Sequence, residues 1–209
     1  MQNNKSELFD NLIGQTKAKR RLGFYLKGYN ATGICPHLMF VAPKGCGKTT
    51  LARILAESFA AGLVAEQARD YLDQKDLVGR YQPSDLLKIA ERQSAAEAHA
   101  SFEQKITVSD TDHQVVSIWW SERFGPVPNT LSERYKTDSS RFYLLCRPDL
   151  PWQIDAQREN AKDRERLYRI YRTDLVDRNL QFAEIDGLDH KRTAQAIASV
   201  RSFLSAVWR

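Results

Sequence analysis

A glycine-rich loop between two apolar segments constrains the fold of this chain more than any other feature. Residues 37–42 read HLMFVA, a short apolar run typical of a buried strand. Residues 42–50 read APKGCGKTT, and the apolar side chains that follow recur at helical spacing: Leu51, Ile54, Leu55 and Phe59. The sequence therefore predicts a strand, a tight turn over Ala42–Gly47, and a helix from about Lys48 to Ala60.

The loop matches the pattern of a phosphate-binding P-loop, except that Ala42 replaces the usual first glycine. In such loops the backbone N–H groups and the helix N-terminus bind the β-phosphate. Lys48 is expected to reach the β- and γ-phosphates, and Thr49 to supply a hydroxyl to Mg²⁺. We therefore predict a site for ATP and Mg²⁺ formed by Pro43, Lys44, Gly45, Cys46, Gly47, Lys48, Thr49 and Thr50.

Cys46 allows two interpretations. A thiol beside a helix N-terminus and a lysine has a lowered pKa and is reactive. The plainer interpretation is that Cys46 is a small residue that fills a slot suited to serine.

Strands alternate with helices along the rest of the chain. Further strands are predicted in the runs AGLVAE, KITVSDTD, RFYLLCR and LQFAEID. Helices are predicted over residues 15–29, 67–100, 155–177 and 191–208, with a break at GRYQPSD, where Ser84 is expected to cap the next helix. This alternation favours a parallel sheet of five strands between two layers of helices, a three-layer α/β fold.

Composition limits where the chain can act. Of 209 residues, 42% are hydrophobic and 27% charged, which is typical of a globular protein, and no apolar run approaches the length of a membrane span. Without an apolar signal segment or a cysteine pattern for metal, we expect a cytoplasmic protein with no membrane contact. Residues 1–57 carry a net charge of +6 from nine basic and three acidic side chains. That cluster suits either nucleic acid or a solvated helix face, and we favour the latter.

Two stretches resemble known families. Residues 8–57, with LIGQ before the basic helix, resemble the opening of AAA+ ATPases, especially the bacterial Holliday-junction branch-migration motor. The later AAA+ motifs are absent: there is no acidic pair ending a strand, no sensor strand and no clear arginine finger. The first resemblance implies a nucleic-acid-stimulated ATPase.

Residues 61–205 resemble the ribosylnicotinamide kinase domain of the bacterial bifunctional protein that also adenylylates NMN. The similar segments are VAEQARDYL, SDTDHQVVSIWWSERFG and YLLCRPDLPWQIDAQRENAKDRERLYRIY. Ala156 departs from that family, which usually has glycine there. The resemblance implies a nucleoside-kinase-like P-loop fold with a helical lid around residues 150–166, and a role in NAD biosynthesis.

The change of resemblance near residue 58 predicts two parts. Residues 1–36 form an AAA+-like helical extension, and residues 37–209 form the kinase domain. A natural recombinant and an engineered fusion both fit this pattern.

Acidic residues end two of the predicted strands. Glu66 closes the second strand, and Asp110 and Asp112 close the third, at the edge of the sheet where a P-loop opens. We assign Glu66 as the base directed at the substrate hydroxyl and Asp110 as the Mg²⁺ ligand, although these two roles could be swapped. Asp112 is expected to contact substrate or metal-bound water. Structural roles as loop caps are the alternative.

Basic and aromatic residues complete the predicted site. Arg69, one helical turn after Glu66, is expected to bind substrate or to form a salt bridge. Arg158 is favoured as the cation that the lid brings to the transferring phosphoryl group, with Arg164 and Arg166 as alternatives. Trp152, in the lid motif, is expected to line the substrate pocket, where an aromatic face suits a cationic ring.

These residues predict an ATP-dependent kinase that phosphorylates the 5′-hydroxyl of nicotinamide riboside or a similar nucleoside. The alternatives are the nucleic-acid-stimulated ATPase and an inactive nucleotide-binding protein. Nucleic acid is not expected as a partner of the kinase, and a homo-oligomer is compatible with the sequence.

Overall fold

The computed structural model describes residues 30–34, 36–43, 45–75, 77, 80–135, 139–150 and 163–208. Within them the strands are β1 His37–Val41, β2 Gly62–Val64, β3 Thr107–Ser109, β4 Arg141–Cys146 and β5 Phe182–Ile185. The helices are α1 Lys48–Phe59, α2 Gln67–Gln74, α3 Pro83–Glu103, α4 His113–Phe124, α5 Asn129–Ser132, α6 Arg164–Asp177 and α7 Asp189–Val207. The predicted helix over 15–29 lies outside the described residues, so the division at residue 36 stays a prediction.

The five strands form one parallel sheet in the order β2-β3-β1-β4-β5. β1 lies at the centre, with Leu38 opposite Val108 of β3 on one side and Phe142 of β4 on the other. The central position explains why β1 is an unbroken apolar run, since both of its faces and both of its edges are covered. The predicted five-stranded parallel sheet is confirmed.

Helices cover both faces of the sheet. On one face, Leu38 and Phe40 pack with side chains of α1 and α7, among them Leu55 and Phe203. On the other face, Met39 and Val41 pack against α4 and α6. Alternate residues of one strand therefore serve two cores, and each fully buried side chain of this size contributes roughly 1.5–3 kcal/mol. The arrangement is the three-layer α/β fold of P-loop proteins, as predicted.

The start of α3 differs from the prediction. Gln82, not Ser84, is the N-cap, and Asp85 completes a capping box by accepting a hydrogen bond from the Gln82 backbone N–H at 2.8 Å. Pro83 occupies the first turn, where its missing N–H costs nothing. The Tyr71 hydroxyl donates to Asp85 at 2.8 Å and so ties α2 to the start of α3.

None of the helices in the described part of the chain has the length and apolar character needed to cross a bilayer.

Candidate functional site

The residues predicted to bind phosphate, the substrate hydroxyl and the metal all follow strands that lie side by side in the sheet. The P-loop follows β1, Glu66 lies two residues beyond β2, and Asp110 comes directly after β3. Because the sheet is parallel and its order is β2-β3-β1 in this region, these segments leave the same edge side by side. The edge is the place where ligands bind in open α/β sheets.

The loop itself depends on two glycines. Gly45 and Gly47 have φ values of 82° and 73°, a backbone conformation that favours glycine. Gly47 is also the N-cap of α1, and a Cβ atom at this position would lie 2.7 Å from Leu150 Cδ1. Any side chain at residue 47 would therefore strain the backbone and force the tip of the Leu150 side chain to move.

Lys48 is buried and paired. Its Nζ lies 3.4 Å from Glu66 Oε2. Burial by itself would lower the pKa of Lys48, but the nearby carboxylates of Glu66 and Asp110 outweigh burial, and the pKa is raised above its ordinary value. Lys48 is therefore charged at neutral pH, as the binding of a phosphate requires.

Asp110 lies beside Thr49. Burial raises the pKa of Asp110, while the Lys48 charge and the nearby Thr49 hydroxyl oppose that rise. Its Oδ1 atom is buried and has no hydrogen-bond partner among the described residues. A hydroxyl, a carboxylate and an orphaned carboxylate oxygen are the hard oxygen ligands that Mg²⁺ takes from proteins beside phosphates, so Thr49 and Asp110 fit the predicted metal site.

Asp112 occupies a different environment. It is 0% exposed, and its Oδ1 accepts a hydrogen bond from the Gln114 N–H at 2.8 Å, which makes it the N-cap of α4. Burial, and then the Glu97 carboxylate, raise the pKa of Asp112 to about 7. Its contact with a substrate stays a prediction, and the geometry favours the capping role.

A buried ion pair lies close to Asp112. Arg141 and Glu97 join their side chains at 3.3 Å, and Gln93 bridges Glu97 and the Thr111 carbonyl. The Tyr143 hydroxyl and Asp112 Oδ2 interact electrostatically but do not meet hydrogen-bond geometry. This cluster tethers α3 to the loop after β3, and so holds the segment that carries Asp110.

The structure favours the interpretation of Cys46 as a small buried residue over that of a reactive thiol. Its side chain is fully buried, and burial raises the pKa of the thiol to about 11 despite the nearby arginines. A thiol in this state is protonated at neutral pH and is a poor nucleophile.

The remaining predicted residues divide into three groups. Pro43 is buried in the loop, Gly45 and Gly47 are partly buried, and Thr50 is exposed on α1. Arg69 is exposed on α2. Lys44, Trp152 and Arg158 lie outside the described residues, so their roles stay predictions.

Of the two alternative lid arginines, Arg164 is the one near the loop. Its Nη1 donates to the Leu150 carbonyl at 3.0 Å, and its charge acts on the Cys46 thiol. Arg166 instead pairs with Glu122 of α4 and Asp163. The two side chains therefore face different parts of the protein.

Arg192 was not expected from the sequence. It belongs to α7, is 5% exposed, and donates to acceptors on three loops at the edge of the sheet that carries the P-loop. Those acceptors are the carbonyls of Cys46, Arg147 and Gly187 and the carboxylate of Asp149, at 2.6–3.1 Å. In the sequence, Arg192 lies in the run DHKR, which gives no sign that one of these charges is buried.

The sequence model of the AAA domain family matches residues 38–192, from β1 into α7. The chain belongs to this family. The match spans the position near residue 58 at which the sequence analysis placed a change of resemblance. It therefore gives no support to a fusion of two parts.

Relatives of this AAA domain agree with that continuity. The Holliday junction branch migration complex subunit RuvB of Campylobacter curvus is 28% identical over 181 residues, which cover 85% of this chain and 51% of that protein. An alignment of that length also crosses residue 58.

Two solved structures share the fold. The crystal structure of NadR protein in complex with NR has a TM-score of 0.68 at 17% identity, and that of NadR in complex with NAD and AMP-PNP has 0.65 at 17%. Each match covers 85% of this chain and 52% of the NadR chain. The chain thus spans about half the length of RuvB and of NadR.

Proposed function

We propose that this AAA domain binds ATP with Mg²⁺ and transfers the γ-phosphoryl group to the 5′-hydroxyl of nicotinamide riboside or a similar nucleoside. The observation that carries the proposal is the meeting of four side chains at the ends of three adjacent strands. They are Lys48, Thr49, Asp110 and Glu66.

Each of these groups has a role in phosphoryl transfer, which is catalysed by positioning and by stabilising charge. The N–H groups of the P-loop and the Lys48 ammonium bind the phosphates. Thr49 and Asp110 would hold Mg²⁺, which when bound neutralises charge on the phosphate oxygens. A further carboxylate, Glu66, then remains for the substrate.

The arrangement supports one of the two assignments left open for the carboxylates. Asp110 lies beside the Thr49 hydroxyl, so the two can share one metal ion, whereas Glu66 follows β2 and pairs with Lys48. We therefore propose Asp110 as the metal ligand and Glu66 as the group that orients and deprotonates the substrate hydroxyl.

The choice of nucleoside follows the fold similarity to NadR, whose structures contain NR, NAD and AMP-PNP. At 17% identity that similarity concerns the fold, so the nucleoside is identified by testing a panel of substrates. The lid around residues 150–166, with Arg158 and Trp152, is part of the proposal on the sequence resemblance alone.

A DNA-stimulated ATPase is the second candidate. It is favoured by the similarity to RuvB over 181 residues and by the net charge of +6 on residues 1–57. A protein that neutralises several DNA phosphates binds more weakly as salt increases, which makes this candidate testable.

One assay distinguishes the candidates. The protein is incubated with Mg²⁺–ATP and a panel of nucleosides that includes nicotinamide riboside, with and without duplex or single-stranded DNA, and ADP and phosphorylated nucleoside are both measured. The proposal expects ADP to form in step with a nucleoside 5′-phosphate, independently of DNA. ADP formation that needs DNA and yields no phosphorylated nucleoside would establish the second candidate, and ATP binding without turnover would indicate an inactive nucleotide-binding protein.

A further inference from the structure

We infer that Arg192 is a positioning residue for the phosphate-binding loop. The inference rests on the ATP binding in the proposed function, but not on the nucleoside. Its basis is that one buried guanidinium joins the P-loop to the loops that follow β4 and β5.

The contact with the P-loop is the essential one. Arg192 Nη2 donates to the Cys46 carbonyl at 2.9 Å, and Cys46 precedes the glycine that caps α1. The Cys46–Gly47 peptide is trans, so its N–H points opposite to its carbonyl. By holding the carbonyl, Arg192 fixes the Gly47 N–H on the opposite side of the peptide plane.

The charge of Arg192 also acts on that N–H. A hydrogen bond from a charged donor is about twice as strong as a neutral one, and hydrogen bonds in series polarise one another. A guanidinium on the Cys46 carbonyl therefore makes the Gly47 N–H a better donor. A better donor in a phosphate-binding loop binds an anion more tightly.

The other contacts hold the guanidinium in place. Nη2 also donates to the Arg147 carbonyl at 3.0 Å, and Nη1 donates to the Gly187 carbonyl at 3.1 Å and to Asp149 Oδ1 at 2.6 Å. Asp149 Oδ2 in turn accepts a hydrogen bond from the Gly187 N–H at 2.7 Å. Asp149 thus balances the buried charge of Arg192 and also links the loop after β4 directly to the loop after β5.

The planar fork of arginine is needed for this geometry. Two terminal nitrogens bond four acceptors on three segments, whereas a lysine ammonium offers three donors from a single atom. Lysine at residue 192 should keep the ion pair with Asp149 and lose part of the contact with the P-loop.

The test compares Arg192→Met and Arg192→Lys with Arg201→Met, which removes an exposed arginine from the same helix. The Kd for a fluorescent ATP analogue with Mg²⁺ is measured at least 20 °C below each variant's melting temperature. We expect Arg192→Met to weaken binding about 10-fold or more, Arg192→Lys to be intermediate, and Arg201→Met to match the wild type. If Arg192→Met lowers the melting temperature and leaves Kd unchanged, Arg192 only stabilises the fold and the inference is wrong.

A second variant covers the case in which Arg192→Met does not fold. Asp149→Asn keeps the size of the side chain and removes the charge that holds Arg192, so it should also raise Kd, by less than Arg192→Met would. Unchanged Kd values in both Asp149→Asn and Arg192→Lys would overturn the inference. Wild-type protein that binds ATP but phosphorylates no nucleoside would refute the proposed kinase activity alone, and wild-type protein that binds no ATP would refute both.

Discussion

Lys48 Nζ lies 3.4 Å from Glu66 Oε2, and the two side chains are 8% and 11% exposed. The cation that binds phosphate is thus already balanced by a carboxylate from the end of β2, on the far side of β3 from β1. An incoming phosphate has to share Lys48 with Glu66. This pairing leads to different predictions for the two residues.

Lys48→Ala should abolish phosphoryl transfer, because it removes the charge that stabilises the developing phosphate charge. Loss of one such group commonly lowers the rate on the order of 10²–10³-fold. The rate of nucleoside phosphorylation is the measurement, and Lys88→Ala, which removes an exposed lysine from α3, is the control. A rate within a few-fold of the wild type would contradict the role of Lys48.

Glu66→Gln should tighten the binding of ATP and slow transfer to the nucleoside. The neutral amide no longer competes with phosphate for Lys48. It also cannot accept the hydroxyl proton, and general-base catalysis contributes roughly 10²–10⁴-fold to the rate. Both Kd and turnover are compared with Glu57→Gln, which changes an exposed residue of α1. Turnover equal to that of the control would leave Glu66 with only a structural role.

Asp110→Asn should stop turnover and yet stabilise the protein without ligand. Because the pKa of Asp110 is raised on folding, its ionised form at neutral pH reduces the free energy of unfolding, and a neutral amide avoids that cost. We expect a higher melting temperature in calorimetry and lost activity even at high Mg²⁺. Retained activity with no response to Mg²⁺ would show that Asp110 is not a metal ligand.

Arg164→Met should lower kcat by on the order of 10²-fold, while Arg166→Met should have little effect. The reason is position, since Arg164 donates to the Leu150 carbonyl beside the P-loop and Arg166 pairs with Glu122 on α4. Steady-state kinetics of both variants are the measurement. Equal losses in the two would indicate a general effect on α6.

Asp112→Asn should change how stability depends on pH. With the pKa of Asp112 raised to about 7, the folded state favours the protonated form, so the stability it contributes falls as pH rises from about 4 through about 7. Asparagine keeps an N-cap acceptor and does not titrate. From urea unfolding, the stability of the variant relative to wild type should rise by roughly 1–3 kcal/mol between pH 5 and pH 8.

The same variant tests the substrate role of Asp112. If Asp112 only caps α4, turnover at pH 8 should stay within a few-fold of the wild type. A stability difference that does not vary with pH would contradict the raised pKa, and a loss of turnover would support contact with the substrate.

The sequence was most informative where local chemistry determines structure. The helix after the P-loop was predicted from Lys48 to about Ala60 and runs from Lys48 to Phe59, because Gly47 and the apolar stripe are local signals. The carboxylates at the strand ends were also found, since parallel strands bring their ends to one edge. The start of α3 was misjudged because Ser84 is a good cap in isolation, while the Gln82–Asp85 capping box with Pro83 forms a better start.

Interactions between distant segments could not be predicted in this way. Arg192 and Glu97 lie in helices rich in polar residues, and Arg141 begins an apolar strand, so nothing local shows that their charges are buried. The burial of each depends on segments far away in the chain. Only the folded sheet brings Cys46, Asp149 and Arg192 together.

The bond between Arg192 and the Cys46 carbonyl has a consequence for the synthesis of the protein. The two residues are 146 positions apart, so at about 5–20 residues per second the ribosome needs roughly 7–30 s to add Arg192 after Cys46. During that interval the nascent chain carries an intact P-loop sequence whose Cys46 carbonyl lacks its guanidinium partner. Nucleotide affinity in this protein should therefore arise late in translation, when α7 has been added, and not when the P-loop is first made.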